Sequence, residues 1–215
     1  MLDLKWQKYT IQYRLFNILK MINNFEHIRS ILNFDSEDDF YFLQIIKRRK
    51  DNPDLARDRK LIDNYFIYSF EEYDKLESKI IEQCNTNNAR AYIRINRRNA
   101  KICAMQTIRK LSELLIDGNY RAAKTAYLSA CGEYHNEKPK RWIIDIDEED
   151  LDNKEAIEKT IAELHEKTPG YNHIATFQTK NGYHIITNPF DMKIFKDKFP
   201  TITIQRDNPT LLYIP

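Results

Sequence analysis

Lys140-Arg141-Trp142-Ile143-Ile144-Asp145-Ile146-Asp147 is the stretch from which the fold is read. An apolar run of this length, bounded by charge, reads as a buried strand. Side chains alternate across a strand, so Asp145 and Asp147 share one face while Ile144 and Ile146 share the other. Two carboxylates side by side on a sheet repel each other unless cations sit beside them. Hard oxygen donors of this kind suit Mg²⁺ or Mn²⁺. The same residues also suit a strand that runs out into a solvated acidic loop, since Glu148, Glu149 and Asp150 follow.

The chain has 215 residues, enough for one domain or two small ones. Lys plus Arg (34) nearly balances Asp plus Glu (32), so the distribution of charge matters more than its sum. Residues 89–110 carry seven basic side chains and no acid, while residues 145–166 carry ten acids against Lys154 and Lys159. A basic surface beside an acidic metal site fits an enzyme that handles polyanions, although charge runs also occur as ordinary solvated faces. Cys84, Cys103 and Cys131 are scattered, which argues against a zinc site or a disulfide framework. Four glycines are too few for a glycine-rich phosphate loop. The N-terminus lacks an apolar core ending in small residues, and no run reaches the length of a membrane span. A soluble cytoplasmic protein without a membrane partner is expected.

Outward from the opening stretch, helical spacing over residues 10–32 (Ile11, Leu15, Ile18, Ile22, Phe25, Ile28, Leu32) predicts two helices broken near Asn23-Asn24. Residues 40–46 and 61–70 read as aromatic strands that form a hairpin, with the basic run Lys47-Arg48-Arg49-Lys50 at its tip. Such a loop suits phosphates, or is simply a surface loop. A helix over residues 71–84 leads to a strand over residues 89–96. There Arg90, Tyr92, Arg94 and Asn96 form one face, a floor suited to phosphates, and Ala91, Ile93 and Ile95 form the other. Residues 100–116 read as a helix with Met105, Ile108, Leu111 and Leu115 inward, and residues 120–131 as another. Pro139 leads into the opening strand. A capping box at Asp152 and Glu155 starts a helix that Thr168-Pro169-Gly170 stops. Lys180-Asn181-Gly182 is a hairpin turn between strands over residues 173–179 and 183–187. A short helix over residues 189–198 and two strands, 201–205 and 210–214, complete the chain.

The second half thus carries an apolar run ending in Asp145-Ile146-Asp147, and Gly182-Tyr183-His184 on a hairpin 37 residues later (184 − 147). In this order the two motifs resemble the catalytic core of the archaeo-eukaryotic primase and primase-polymerase superfamily. Asp207 is the residue in order for that family's third acid, although Gln205 and Arg206, not an apolar residue, precede it. The resemblance implies an α+β fold. Its primase-like core has an RRM-like antiparallel or mixed sheet flanked by helices and follows an N-terminal α/β module. The expected division is N-terminal helices over residues 1–35, the α/β module over 36–139 and the RRM-like metal-binding module over 140–215, the last two forming one compact unit.

The resemblance further implies template-dependent nucleotidyl transfer by a DNA primase or primase-polymerase. Its substrates would be a single-stranded DNA template and NTPs or dNTPs, with a helicase or accessory replication protein as a candidate partner. Asp145 and Asp147, with Asp207, would hold two Mg²⁺ or Mn²⁺ ions, and His184 would contact the phosphates of the incoming nucleotide. Lys180 and Arg94 add charge for the nucleotide; Arg94, Arg97, Arg98, Arg48 and Arg49 are the candidates for nucleic-acid contact. Two other classes fit the same residues: a catalytically silent module that binds single-stranded nucleic acid, and a two-metal nuclease.

Overall fold

The computed structural model describes residues 21–138, 140–166 and 173–215, with the side chains of all but 165 and 166. The helical spacing over residues 10–20, the Pro139 lead-in and the Thr168-Pro169-Gly170 stop fall outside these residues. The fold is mixed α+β, with two antiparallel sheets and six α-helices among the described residues. None of those helices is long and apolar enough to cross a membrane.

The first sheet is built around β2 (Asp39–Arg48), which pairs with β3 (Arg59–Ile67) as the expected hairpin. Its aromatic run is buried on both faces. Tyr41, Leu43 and Ile45 enter the main core, while Phe40 and Phe42 enter a smaller one with Cys103 and Cys131. On its other side β2 pairs with β4 (Arg90–Arg94), whose Ala91 and Ile93 join the main core as alternation requires. Helix α2 (Phe70–Asn87) covers that core with Tyr73, Ile80 and Cys84. It starts where the Ser69 hydroxyl accepts from the Glu72 N–H and ends at Asn88, which adopts the left-handed conformation.

The N-terminal described segment differs from expectation. Ile22 lies not on a helix but on β1 (Ile22–Asn23), an edge strand; helix α1 (Phe25–Arg29) begins only after Asn24. The short strand β5 (Arg98–Asn99) pairs with the start of β2 and hands the chain to α3 (Ala100–Ile116), which Asn99 caps. Here the expected inward stripe is wrong. Met105 is 70% exposed, Ile108 64% and Leu115 46%; Cys103 is the one fully buried residue of the helix. The helix rests on the small core through Cys103 and against α4 (Ala126–Glu133), and its apolar stripe faces outward.

The opening stretch forms β6 (Trp142–Ile146), central in the second sheet. β6 lies between β8 (Tyr183–Thr187) and β9 (Thr203–Gln205), and β7 (His173–Gln178) pairs with β8. A 3-10 turn (Glu148–Asn153) follows β6, so α5 (Lys154–Glu166) begins after the expected capping residue Asp152. Ile144, Ile146 and Ile185 pack against Ile157, Ile161 and Leu164 of α5 and Phe195 of α6 (Met192–Lys198). Ile143 and Ile186, on the opposite face, join the core of the first sheet. After β9 the chain leaves the second sheet, and the last strand, β10 (Pro209–Ile214), inserts between β1 and β4 of the first. Residues 140–215 are therefore not confined to one layer: the two sheets share a core and are tied by the final crossover.

Candidate functional site

Alternation along β6 puts Asp145 and Asp147 on the face that carries Ile143, the face turned toward the first sheet. The register pairs Asp145 with His184, which therefore shares that face with Ile186. His184 Nε2 lies 3.3 Å from Asp145 Oδ1, and its Nδ1 lies 2.8 Å from the Thr210 hydroxyl on β10. An imidazole that donates from Nε2 and accepts at Nδ1 satisfies both partners. The second Asp145 oxygen accepts from Gln205 Nε2 at 2.8 Å. Asp147, one step further out, is exposed, and its carboxylate has no hydrogen bond among the described residues.

Gly182 sets the distance between the two motifs. A Cβ there would lie 1.9 Å from the Ile146 carbonyl oxygen and 3.2 Å from the Asp147 Cα. Only a residue without a side chain lets the β7–β8 hairpin close against the end of β6. Thr179 N–H to Gly182 carbonyl (2.8 Å) closes that turn. The hairpin is also held to the first sheet: Asn24 Nδ2 donates to the carbonyls of Gln178 (3.0 Å) and Leu211 (2.9 Å).

Asp145, Asp147, His184 and Gln205 line one wall of a pocket of about 480 Å³. The facing wall carries Arg48, Arg59, Arg90 and Tyr92 from the first sheet and Lys50 from the 3-10 turn after β2, and Lys180 also lines the pocket. Arg48 donates to the Tyr92 hydroxyl at 3.1 Å. Asp51 sits behind this wall. It accepts from Arg90 Nε and Nη2 at 2.7 Å each and from Lys180 at 2.9 Å. Burial works against its ionisation, but these hydrogen bonds and charges outweigh it and hold the Asp51 carboxyl below the usual range. Burial first, and then the charges of Arg48 and Arg90, push the Lys50 ammonium below the ordinary lysine value.

Of the expected site residues, the fold brings together Asp145, Asp147, His184, Lys180 and Arg48. It does not bring Asp207 there. Asp207 Oδ2 pairs with Arg98 Nη2 at 2.7 Å and with Arg94 at 3.5 Å, and Asn96 donates to its Oδ1 at 3.0 Å. Arg94, Arg97 and Arg98 are likewise not on the pocket: Arg97 pairs with Asp35 (2.6 Å) and Asp39 (3.3 Å), and the Arg98 side chain is fully buried. Within the basic run over residues 89–110, Arg94, Arg97 and Arg98 thus serve as counterions for loops of the fold, Arg90 pairs with Asp51 and lines the pocket, and Lys101, Arg109 and Lys110 pair with Asp38, Glu113 and Glu133. Arg49 is exposed and does not line the pocket.

Residues that sequence reasoning did not assign are Gln205, Thr210 and Arg59, while Lys50, from the basic run already suited to phosphates, does line the pocket. Arg59 follows from the hairpin register alone, since it lies opposite Arg48. Gln205 becomes visible only once β9 is known to pair with β6. A divalent cation here would find free oxygens on Asp147, but would have to share Asp145 with His184 and Gln205; among the described residues no group of three or more His, Cys, Asp or Glu side chains is gathered to hold a metal. No protein-family model matches the chain, and no curated protein or solved structure matches it.

Proposed function

We propose that the pocket between the sheets is the nucleotide site of a template-dependent nucleotidyltransferase of the primase or primase-polymerase type. The observation that carries this reading is the opposition of two carboxylates on β6 to a wall of arginines and lysines across one pocket. A nucleoside triphosphate needs both, cations for its phosphates and oxygens for the divalent ion that travels with them. Asp145 and Asp147 would hold Mg²⁺ or Mn²⁺. When bound, such ions align an attacking 3′-oxygen with a leaving pyrophosphate and neutralise the charge that develops, two ions ~3.5–4 Å apart serving both oxygens. Arg48, Lys50, Arg59 and Lys180 hold the phosphates. His184 lines the same pocket and fixes the Asp145 carboxylate through its Nε2; when the metal takes Asp145, that Nε2 would turn to a phosphate.

A specific observation favours a second reading. The neutral Gln205 amide stands beside Asp145 where a further carboxylate would complete a two-ion set, and Asp207 is neutralised elsewhere. A catalytically silent binding module that retains the nucleotide pocket fits these two facts.

The test is to incubate the protein with a single-stranded template, NTPs or dNTPs, and Mg²⁺ or Mn²⁺. Products should lengthen, and Asp145→Ala and Asp147→Ala should each reduce incorporation by more than about 100-fold, the most that loss of a merely supporting partner costs. Substrate that shortens in a metal-dependent way would make the protein a nuclease. No change in length, with nucleic acid still bound, would leave the silent module.

A further inference from the structure

The arginines of β4 and β5 are paired with acids, but those of the β2–β3 hairpin are not. Lys47, Arg48, Arg49, Lys50, Arg57, Arg59 and Lys60 make no ion pair among the described residues. Three acids lie between them, Asp51, Asp54 and Asp58, and Asp51 is already engaged by Arg90 and Lys180. The register sharpens the imbalance. Lys47 lies directly opposite Lys60, and Arg48 directly opposite Arg59. Like charges facing each other across an antiparallel pair destabilise it, so this arrangement gains most when a polyanion lies along it.

Alternation sends the two cross-strand pairs to opposite faces of the ribbon. Arg48 and Arg59 face the pocket; Lys47 and Lys60 do not line it. A flat anionic membrane touches one face of such a ribbon. A nucleic acid that wraps or follows it touches both, and brings a regular row of phosphates to a regular row of cations.

We propose that the β2–β3 ribbon is the docking track for the phosphodiester backbone of a nucleic acid, running from the outer Lys47 and Lys60 pair into the pocket at Arg48 and Arg59. This rests on the nucleotidyltransferase reading only for where the track leads; the binding itself needs neither metal nor nucleotide.

The experiment is fluorescence anisotropy of labelled single-stranded and duplex oligonucleotides in EDTA over a salt series. Lys47→Glu deletes one cation and engages Lys60 across the strands, so two phosphate contacts go. Affinity should fall at least about tenfold, and the magnitude of the log–log salt slope should drop by about 1.4 on single strands. Lys60→Glu should do the same from the other strand. Both variants relieve a like-charge pair, so their thermal midpoints should hold or rise, which separates lost binding from lost folding. Whichever oligonucleotide loses more affinity identifies the form carried on the track. The proposal is overturned if both lysine variants bind within about twofold of wild type with an unchanged slope. It is equally overturned if phosphatidylserine vesicles bind the wild type more tightly than either oligonucleotide. Should the track behave as expected while extension fails, the nucleotidyltransferase reading falls alone.

Discussion

There is no room for a methyl group at Gly182: its Cβ would sit 1.9 Å from the Ile146 carbonyl oxygen, a backbone atom that cannot swing aside. We predict that Gly182→Ala lowers stability by about 3 kcal/mol, the upper end for a forced overpacking, read as a shift in urea midpoint. Metal-dependent stabilisation should weaken too, because the added Cβ also meets the Asp147 Cα at 3.2 Å and shifts that carboxylate. At this scale the sequence is informative where a role depends on spacing along one strand. Asp145 and Asp147 share a face because they are two apart, and His184 shares it because the short turn fixes the register. It is uninformative where a role depends on a distant competitor. Asp207 stands in the right order for a ligand, but Arg98, 109 residues away, and Arg94, 113 away, take its carboxylate. Gln205 reads as an ordinary strand residue until β9 is placed beside β6.

At the scale of elements, the turn after β2 is tied to β4 by a buried charge cluster. The side chains of Asp51 and Arg90 are 9% and 6% exposed and are joined by two hydrogen bonds. The Asp51 carboxyl titrates below its unfolded value of about 3.9. Its contribution is therefore complete above that pH and is lost as the pH falls through the depressed folded value. Chemical denaturation from pH 7 downward should show stability level to about pH 5 and then falling. Asp51→Asn should be less stable at neutral pH by roughly 3–5 kcal/mol, since Arg90 stays buried without its partner, and should show a shallower acid fall. An equally steep fall in the variant would assign the acid sensitivity to other carboxylates, with Asp39 the next to test. The strands were legible because a two-residue period and aromatic content mark them; β2, β3, β4, β6, β7 and β8 lie close to where those signals fall. Helix α3 has its expected ends, but its stripe is turned outward. Periodicity tells which face of a helix is apolar; it does not tell whether another element covers that face, and here none of the described residues does so for Met105 and Ile108.

For the whole molecule, the arrangement that matters is a pocket whose two walls come from different sheets. It is held closed by a strand, β10, that starts beside the second sheet and ends inside the first. Thr210 on that strand touches His184, so the crossover itself anchors the site. Sequence order alone places residues 201–214 as two neighbouring strands and cannot show that they part company, because a sheet switch leaves no periodic signal. The central claim is that this pocket takes a nucleotide together with a divalent cation through Asp145, Asp147 and His184. Thermal unfolding with Mn²⁺ alone, and with Mn²⁺ plus a nucleoside triphosphate, tests it most directly, in wild type, Asp147→Ala and His184→Ala. A ligand at a hundred times its dissociation constant stabilises by about 2.7 kcal/mol, so the shifts are readily measured. We predict that Mn²⁺ raises the wild-type midpoint and the nucleotide raises it further. Asp147→Ala should lose both increments, while His184→Ala should keep the first and lose most of the second. Equal shifts in all three proteins would place the ligands elsewhere and contradict the account.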